Sequence, residues 1–332
     1  GGSLLCLGIA GTGKTFFIKD LVEKLKALGK RVDVISKTHT ASERAGGCTA
    51  DHYVRRHILH GSCMADVIWV DEISQLEAGL WAQLNKLKGR QWLLSGDFNQ
   101  FPAIYNSWRG SPVADDAFER SGLLHELAGG NKLVLHTCRR SDRELFDFYS
   151  SLISGGSRWS TPLTQVLAET RAVFKFDGPA RHNLVISHRR RIRINKELNQ
   201  LLRPEGATLI RVKAVKGQLC SAQNMFIWEG IELLGCTHAT RKGIRNNVLY
   251  RVVKVDEEVT VARNESELIS LTYIQVGALL RLSYAQTYAS CQGTEFDGSL
   301  RLYDTTNKHF TMRHLFVALS RSKRKDMIDI AD

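Results

Sequence analysis

Apolar residues in the first part of the chain form short unbroken runs that alternate with longer stretches of helical spacing. The unbroken runs predict buried strands at residues 4–9, 31–36, 67–70 and 92–95. Between the first two runs, residues 15–28 carry apolar side chains at the spacing of one helix face, and Gly29 ends the pattern. Strands that alternate with helices build a parallel sheet covered on both faces. We therefore predict an α/β lobe at residues 1–130.

The second part of the chain continues this alternation but contains a β-rich interruption. Residues 131–204 include a predicted helix at 143–153 and a strand at 184–187. Residues 205–283 instead hold short β-rich runs broken by glycine, asparagine and charge, which is typical of a small barrel or hairpin insertion. Residues 284–332 return to alternation. The predicted fold is α/β, with two parallel-sheet lobes and an insertion in the second.

The first predicted strand runs directly into a phosphate-binding pattern. Residues 8–15 read GIAGTGKT and match G-x-x-x-x-G-K-[ST] between a strand and a helix, the context that the motif requires. Backbone N–H groups of such a loop bind phosphates at a helix N-terminus. Lys14 is placed to reach the β- and γ-phosphates of ATP, and the Thr15 hydroxyl to bind Mg²⁺. The predicted nucleotide-binding residues of this loop are Gly8, Ala10, Gly11, Thr12, Gly13, Lys14 and Thr15.

Further residues that suit phosphoryl transfer follow later strands. Asp71 and Glu72 end the run VIWV, and we predict that Asp71 holds Mg²⁺ while Glu72 is the general base. In GDFNQFP, Gln100 can sense the γ-phosphate without adding charge, although a turn with a buried aromatic is the alternative. Arg139 and Arg321 are candidate arginine fingers, because a guanidinium can neutralise the charge that develops on γ-phosphate oxygens.

The charge of the chain favours a polyanionic partner. The net charge is +12, and basic residues cluster at 139–143, 189–193, 241–245 and 321–325. Each cluster alone is as consistent with a solvated surface as with binding, but four of them beside a phosphate loop favour nucleic acid. Phe101 and Pro102 follow Gln100 and could transmit a signal toward that partner. Trp108 lies next to Arg109, so it either stacks on a base or packs within the protein.

Other features bear on the class of protein. No apolar run approaches the roughly 18 residues that cross a bilayer, and the start of the chain does not read as a secretory signal, so we expect no membrane contact. The seven cysteines form no CxxC pair, which favours reduced thiols inside a cell, whether nuclear, cytoplasmic or at a viral replication site. Position 1 already lies at a strand edge, so we expect upstream sequence. We expect the chain to act as a monomer; the sequence specifies no protein partner.

Taken in order, the motifs resemble those of superfamily I DNA helicases of the RecD/PIF-like branch, over nearly the whole chain. The first four similar motifs are GIAGTGKT, DEIS at 71–74, GDFNQFP at 96–102 and LHTCRRSD at 135–142. The fifth and sixth are TYASCQGTE at 287–295 and FVALSR at 316–321. Ala289 and Ser290 depart from the His-Lys usual in the fifth motif.

This resemblance implies two RecA-like lobes that bind ATP and Mg²⁺, move 5′-to-3′ on single-stranded DNA and unwind tailed duplexes. It adds Gly293 and Glu295 to the nucleotide site. The implied nucleic-acid contacts are Lys37, Thr38, His39, Phe101, Trp108, Asn195, Thr287 and Gln292. Only about thirty residues separate the segment at 36–41 from Asp71, so a strand-separating pin there must be short.

Two other functions fit the same residues. An RNA helicase or translocase of this superfamily would use the same phosphate contacts and base stacking, which do not distinguish the sugar. A nucleotide-regulated nucleic-acid-binding module without unwinding activity is the second. The changes at Ala289 and Ser290 and the short pin region are compatible with it, whereas the set Lys14, Glu72, Gln100 and Arg321 favours a motor.

Overall fold

A computed structural model describes residues 2–153, 159–212, 223–237, 239–263 and 267–331. The chain divides into two compact units. The first comprises Gly1–Ala168, Gln292–Glu295 and Thr311–Lys325, and the second comprises Glu169–Cys291, Phe296–Phe310 and Asp326–Asp332. Cys220 lies outside the described residues, and the other six cysteines, which the structure describes, form no disulfide with one another. None of the described helices is long and apolar enough to span a bilayer.

The first unit is built on a six-stranded parallel sheet. The strands of this unit are β1 (Leu4–Gly8), β2 (Val32–Ser36), β3 (Cys48–Thr49), β4 (Val67–Asp71), β5 (Gln91–Gly96), β6 (Ser107–Trp108), β7 (Ser111–Pro112) and β8 (Lys132–Leu135). The sheet order is β3-β2-β4-β5-β1-β8, and β6 and β7 form a separate antiparallel pair. Because every neighbouring pair in the large sheet is parallel, the carboxyl ends of its strands lie along one edge.

Helices follow most of these strands. They are α1 (Lys14–Ala27), α2 (His39–Ala45), α3 (Ala50–Tyr53), α4 (Ala78–Leu84), α5 (Ala117–Arg120), α6 (Gly122–Leu127), α7 (Arg143–Ser151) and α8 (Leu163–Val173), which runs into the second unit. A π-helical segment, Val54–Ile58, extends α3, and a 3-10 turn, Ile73–Gln75, follows β4.

Strand β4 shows why the sheet is covered on both faces. Val67 and Trp69 belong to the core cluster that includes Ile18 and Val22 of α1. Ile68 and Val70 point to the other face and join the cluster that includes Trp81 and Trp92. Successive side chains of a strand alternate between faces, so an apolar residue at every position requires two cores. Trp69, Trp81 and Trp92 are buried core residues.

The second unit combines a parallel sheet with a β-rich segment. Its elements are β9 (His182–Val185), α9 (His188–Leu202), β10 (Thr208–Ile210), β11 (Met225–Ile227), β12 (Glu232–Gly235), β13 (Leu249–Val255), β14 (Val259–Ala262), β15 (Leu268–Leu271), α10 (Tyr273–Leu279), β16 (Leu280–Leu282), β17 (Ala285–Thr287), β18 (Leu300–Leu302) and β19 (Ile328–Ile330). The parallel sheet has the order β17-β9-β18-β19. An antiparallel sheet, β15-β14-β13-β12-β16, and the pair β10-β11 account for the β-rich residues. The α/β class with two parallel sheets is confirmed.

The first unit continues to Ala168, past the boundary predicted at residue 130. Strand β8 pairs with β1 along the register Leu5 to Lys132, so it completes the first sheet. The last helix, α11 (Met312–Leu319), also belongs to the first unit, where Phe316 packs against Tyr149 and Trp159. Periodicity locates a helix, but only these aromatic contacts between distant positions decide which unit holds it.

Candidate nucleotide-binding site

The carboxyl edge of the first sheet borders a cavity of about 250 Å³. Loops after β1, β4, β5 and β8 supply much of its lining, together with two later segments of the first unit. The polar side chains that face it include Lys14, Asp71, Glu72, Gln100, Arg140 and Arg321. Ligands of open α/β sheets bind at this edge.

Glycines allow the loop after β1 to turn tightly against the sheet. A Cβ atom at Gly8 would lie 2.6 Å from the carbonyl oxygen of Leu135, closer than packed atoms approach. Gly13 precedes α1 in the left-handed region, with φ of 86°, which other residues adopt only at a cost. Thr12 is buried, and its hydroxyl donates to the Ile9 carbonyl. Gly8 and Thr12 therefore shape the loop, whereas Ala10, Gly11 and Gly13 line the cavity.

Lys14 lies at the centre of this loop. Its Nζ donates to the carbonyl oxygens of Gly8 at 2.8 Å and Ile9 at 3.1 Å. Burial lowers the pKa of the Lys14 ammonium, and the nearby carboxylates, Asp97 first and then Glu72 and Asp71, oppose this shift. An ammonium so placed can exchange its carbonyl partners for phosphate oxygens of higher charge.

Asp71 is held at the end of β4 by a chain of hydrogen bonds. The Trp69 indole donates to Ser95 Oγ at 2.8 Å, and Ser95 Oγ donates to Asp71 Oδ1 at 2.7 Å. The other carboxylate oxygen, Oδ2, accepts from Thr15 Oγ1 at 3.1 Å. Burial and the neighbouring Glu72 carboxylate raise the pKa of Asp71.

The Thr15 and Asp71 oxygens fit Mg²⁺. Adjacent ligands of an octahedral Mg²⁺ with bonds near 2.1 Å lie about 3 Å apart, and these two oxygens are 3.1 Å apart. Both are hard oxygen donors, and phosphate oxygens and water could complete the shell. The residues present therefore fit the predicted cation.

Glu72 has an unusual backbone conformation. Its φ of 55° and ψ of 50° lie in the left-handed region, which costs a non-glycine residue roughly 1–3 kcal/mol and is concentrated at functional sites. The buried Oε2 atom has no hydrogen-bond partner among the described residues. Burial would raise the pKa of this carboxyl, but the charges of Arg44, Lys14 and Arg321 outweigh it and hold the pKa below its usual range. Glu72 is thus an ionised carboxylate with one free oxygen.

Gln100 is fixed through one end of its amide. Its Nε2 donates to Asp97 Oδ2 at 3.4 Å, and Asp97 also accepts from the backbone and side chain of Asn99. The Gln100 Oε1 atom is buried without a hydrogen-bond partner among the described residues. The cavity therefore has a second oxygen, besides Glu72 Oε2, available to a water molecule.

Of the two adjacent arginines after β8, Arg140 lines the cavity and Arg139 does not. Arg140 forms an ion pair with Glu295, and its Nη1 donates to the Ser320 carbonyl at 3.0 Å. Arg139 is exposed, and its backbone N–H donates to the Gly11 carbonyl at 2.8 Å; its predicted role as an arginine finger stays a prediction. Arg321, in contrast, is buried at the cavity wall within the first unit.

The two residues that the resemblance added differ in position. Glu295 lines the cavity, and burial of its carboxyl is outweighed by Arg140, which lowers its pKa. Gly293 is not part of the lining; its nearest neighbour is Ala41 of α2, and its φ is 81°. It therefore serves the turn rather than the cavity.

The segment before α2 was predicted to contact nucleic acid. Lys37 is instead paired with Asp51 at 3.0 Å and Glu77 at 2.8 Å, so its charge is already compensated. Thr38 caps α2 by accepting from the Ala41 N–H at 3.2 Å, and His39 is half-buried. A phosphate contact by Lys37 would require breaking two ion pairs.

Phe101 and Gln292 contact each other in the first unit. Gln292 Nε2 donates to the Phe101 carbonyl at 3.2 Å, and the Phe101 ring packs edge-on against His314 at 4.8 Å. Trp108, on the β6-β7 pair, is 44% exposed, and the Arg109 guanidinium lies 5.8 Å from its ring centre. Trp108 is therefore accessible to a base, and Phe101 is only partly so.

Two predicted nucleic-acid contacts in the second unit are structural. The Asn195 side chain donates to the Ala285 carbonyl at 3.2 Å and accepts from the Ala285 N–H at 2.8 Å. Buried and bonded at both ends, Asn195 joins α9 to β17, and a contact with nucleic acid would require breaking these hydrogen bonds. Thr287 is also buried, with its backbone and hydroxyl bonded to Ser290 Oγ.

Sequence reasoning missed three residues that shape the cavity. Arg44 of α2 contacts Glu72 and approaches Thr15 and Asp71. Ser95 positions Asp71, and the Tyr149 hydroxyl donates to the carbonyl of Ala10 in the phosphate loop at 3.1 Å. Ser95 precedes GDFNQFP directly and could have been noticed; Arg44 and Tyr149 gave no local signal.

Known proteins are similar to this chain in sequence over part of its length and in fold over nearly all of it. Residues 2–123 match the family model of an AAA domain. Over 140 residues the chain is 31% identical to the ATP-dependent DNA helicase PIF3 of Trypanosoma brucei brucei, which covers 36% of this chain and 17% of that protein. The chain thus spans about a sixth of the length of that curated relative.

Among solved structures, Bacteroides Pif1 bound to single-stranded DNA aligns with a TM-score of 0.70 at 18% identity, over 99% of this chain and 88% of that one. Pif1 helicase from Candida albicans aligns with a TM-score of 0.68 at 16% identity, over 100% of this chain and 91% of that one. A Pif1 helicase structure concerned with unwinding at forked duplex DNA gives 0.71 at 17% identity, over 99% and 87%. In sequence, part of this chain is therefore similar to an AAA domain and to the PIF3 helicase, and its fold is that of the Pif1 helicase structures.

Proposed function

We propose that this protein is an ATP-driven DNA helicase that moves 5′-to-3′ on single-stranded DNA and unwinds tailed duplexes. One observation carries the proposal: a single cavity is lined by the phosphate loop, the acidic pair Asp71 and Glu72, and two arginines. The two arginines, Arg140 and Arg321, come from segments that are far apart in sequence. A protein that only bound nucleotide would need the loop but not Arg321 or the Glu72 Oε2 atom, which has no hydrogen-bond partner among the described residues.

Each group in the cavity suits one part of ATP hydrolysis. Lys14 would bind the β- and γ-phosphates, and Thr15 and Asp71 would hold Mg²⁺, which neutralises charge on those phosphates. The free Oε2 of Glu72 would accept a proton from the attacking water, and Gln100 Oε1 would orient that water. Arg140 and Arg321 would neutralise the charge that develops on the transferred phosphoryl group.

Nucleic acid is the partner that the surface chemistry favours. The excess of 12 positive charges suits a phosphate backbone, and the exposed Trp108 with Arg109 offers a platform for a base. The similarity in fold to Pif1 helicases, among them one bound to single-stranded DNA, supports DNA as that nucleic acid. Phe101, which follows Gln100 in sequence, contacts both Gln292 and His314. These contacts could couple the state of the bound nucleotide to the affinity for DNA.

Steady-state ATPase assays test the proposal. We expect turnover to rise strongly with single-stranded DNA and less with RNA, and a 5′-tailed duplex to be unwound while a 3′-tailed one is not. Lys14→Ala should abolish hydrolysis, and Glu72→Gln should keep nucleotide binding but lose turnover. Nucleotide binding without nucleic-acid-stimulated turnover would support the binding-module alternative instead. Stimulation by RNA equal to or greater than that by DNA would support the RNA helicase.

A further inference from the structure

Arg44 places its guanidinium next to the two oxygens of the candidate metal site and next to one oxygen of Glu72. Its Nη2 atom lies 3.1 Å from Glu72 Oε1, 3.5 Å from Thr15 Oγ1 and 3.8 Å from Asp71 Oδ2. Its side chain is only 28% exposed, and no other basic residue forms an ion pair with either carboxylate among the described residues. Arg44 is therefore the residue that pairs directly with the acidic pair, while Lys14 and Arg321 add positive charge without an ion pair to it.

A divalent cation would need two of these three oxygens as ligands. Thr15 Oγ1 and Asp71 Oδ2 have the separation of adjacent ligands in a Mg²⁺ shell. Mg²⁺ demands close, nearly ideal octahedral contacts, and a positive guanidinium within 4 Å of its ligands would repel it. The guanidinium and the metal ion therefore cannot both bind these two oxygens at the same time.

We propose that Arg44 is a built-in competitor of Mg²⁺, which must turn away from Thr15 and Asp71 before the metal binds with the nucleotide. This inference rests on the proposed function, because it assumes that these oxygens hold the cation of a bound nucleotide. Competition keeps the two buried carboxylates compensated before binding and weakens Mg²⁺ binding. Glu72 Oε1, the nearest partner of Arg44, gives the guanidinium a place to remain after it leaves the other two oxygens.

Two other roles of Arg44 make different predictions. If Arg44 only joined α2 to the end of β4, its loss would lower stability but leave the metal dependence unchanged. If Arg44 bound a phosphate, its loss would weaken nucleotide binding by a similar factor with and without Mg²⁺. Only if Arg44 competes with Mg²⁺ does the loss of Arg44 increase the degree to which Mg²⁺ strengthens nucleotide binding.

Equilibrium binding of fluorescently labelled ADP measures this coupling. The quantity is the ratio of the dissociation constant in EDTA to that in saturating Mg²⁺, which by linkage also reports the effect of ADP on Mg²⁺ binding. We expect Arg44→Gln to raise the ratio about tenfold, the order expected from removing one nearby charge in a partly exposed site. Arg44→Met keeps the apolar stem and should give the same rise. Arg44→Lys retains the charge and should stay close to the wild-type ratio.

Arg140→Gln is the matched control. Its guanidinium lies in the same cavity but pairs with Glu295, so we expect its loss to leave the ratio unchanged, whatever its effect on ADP affinity. Far-UV circular dichroism and thermal melting establish that each variant is folded. If the ratio stays constant or falls in the folded Arg44→Gln and Arg44→Met variants, Arg44 does not compete with Mg²⁺. The proposed nucleotide site would be unaffected by that result. Failure of the wild-type protein to bind ADP under either condition would instead overturn the proposed function.

Discussion

Replacing Arg140 with alanine should remove most nucleic-acid-stimulated ATP hydrolysis, whereas the same change at its neighbour Arg139 should not. Only Arg140 reaches the cavity, where it lies between Glu295 and the Ser320 carbonyl. Arginine fingers contribute roughly 10³-fold or more to phosphoryl transfer. That factor corresponds to about 4 kcal/mol of transition-state stabilisation.

The loss of Arg140 should affect folding much less than it affects the rate. The Glu295 side chain is 44% exposed, so the ion pair should contribute no more than about 1 kcal/mol to the free energy of unfolding. The hydrogen bond to Ser320 adds roughly another 1 kcal/mol. A large fall in turnover in a folded protein would therefore reflect chemistry and not unfolding.

The assay is steady-state ATP hydrolysis with and without single-stranded DNA, accompanied by ADP binding and thermal melting. Arg140→Lys keeps the charge but loses the planar pair of donors, and should recover only part of the rate. Glu295→Gln removes the ion pair but keeps Arg140, and separates the two contributions. If Arg139→Ala lost as much turnover as Arg140→Ala, the assignment of Arg140 from the cavity geometry would be refuted.

Four further predictions concern other parts of the site and surface. Arg321→Ala should keep ADP binding but lose most DNA-stimulated hydrolysis; full stimulation in this variant would remove Arg321 from the mechanism. Ser95→Ala should lower the free energy of unfolding by roughly 1–3 kcal/mol, because the Trp69 indole loses its buried acceptor. It should also raise the Mg²⁺ concentration required for hydrolysis, because Asp71 loses the hydrogen bond from Ser95. An unchanged Mg²⁺ requirement would show that Asp71 does not need this hydrogen bond. Asn195→Ala should lower the free energy of unfolding, measured with denaturant, by roughly 2–4 kcal/mol and should leave the DNA affinity of the folded protein unchanged. A stable variant with weakened DNA binding would support the predicted contact between Asn195 and nucleic acid. DNA affinity should fall steeply between low and physiological salt, as expected for phosphate contacts by several basic residues, and a flat salt dependence would assign the basic clusters to solvated surface.

Local pattern determined most of the fold's elements. The phosphate loop, the first helix and the strands around it follow from residues close together in sequence, so their positions match the predicted ones within one or two residues. The strand predicted at 67–70 is found at Val67–Asp71, and the helix predicted at 15–28 is found at Lys14–Ala27. Short-range spacing carries this information because backbone hydrogen bonding and glycine geometry act over only a few residues.

The same locality explains why Lys14, Asp71 and Glu72 could be placed in one site. Parallel strands bring their carboxyl ends to one edge, so residues just after different strands converge. The geometry of each residue then follows from its own strand end, as with the left-handed backbone of Glu72. The convergence was therefore predictable without knowing which distant side chains touch.

Tertiary structure alone decided which polar side chains remain available for chemistry. Arg139 and Arg140 are indistinguishable in sequence, but only one finds Glu295, 155 positions later. Lys37 and Asn195 carry suitable groups, yet distant carboxylates neutralise the first and the Ala285 backbone occupies the second. Arg44 showed no local signal, although its partner Glu72 lies 28 residues away. The free energy of a polar contact depends on the partner that folding brings to it, and a local pattern contains no information about that partner.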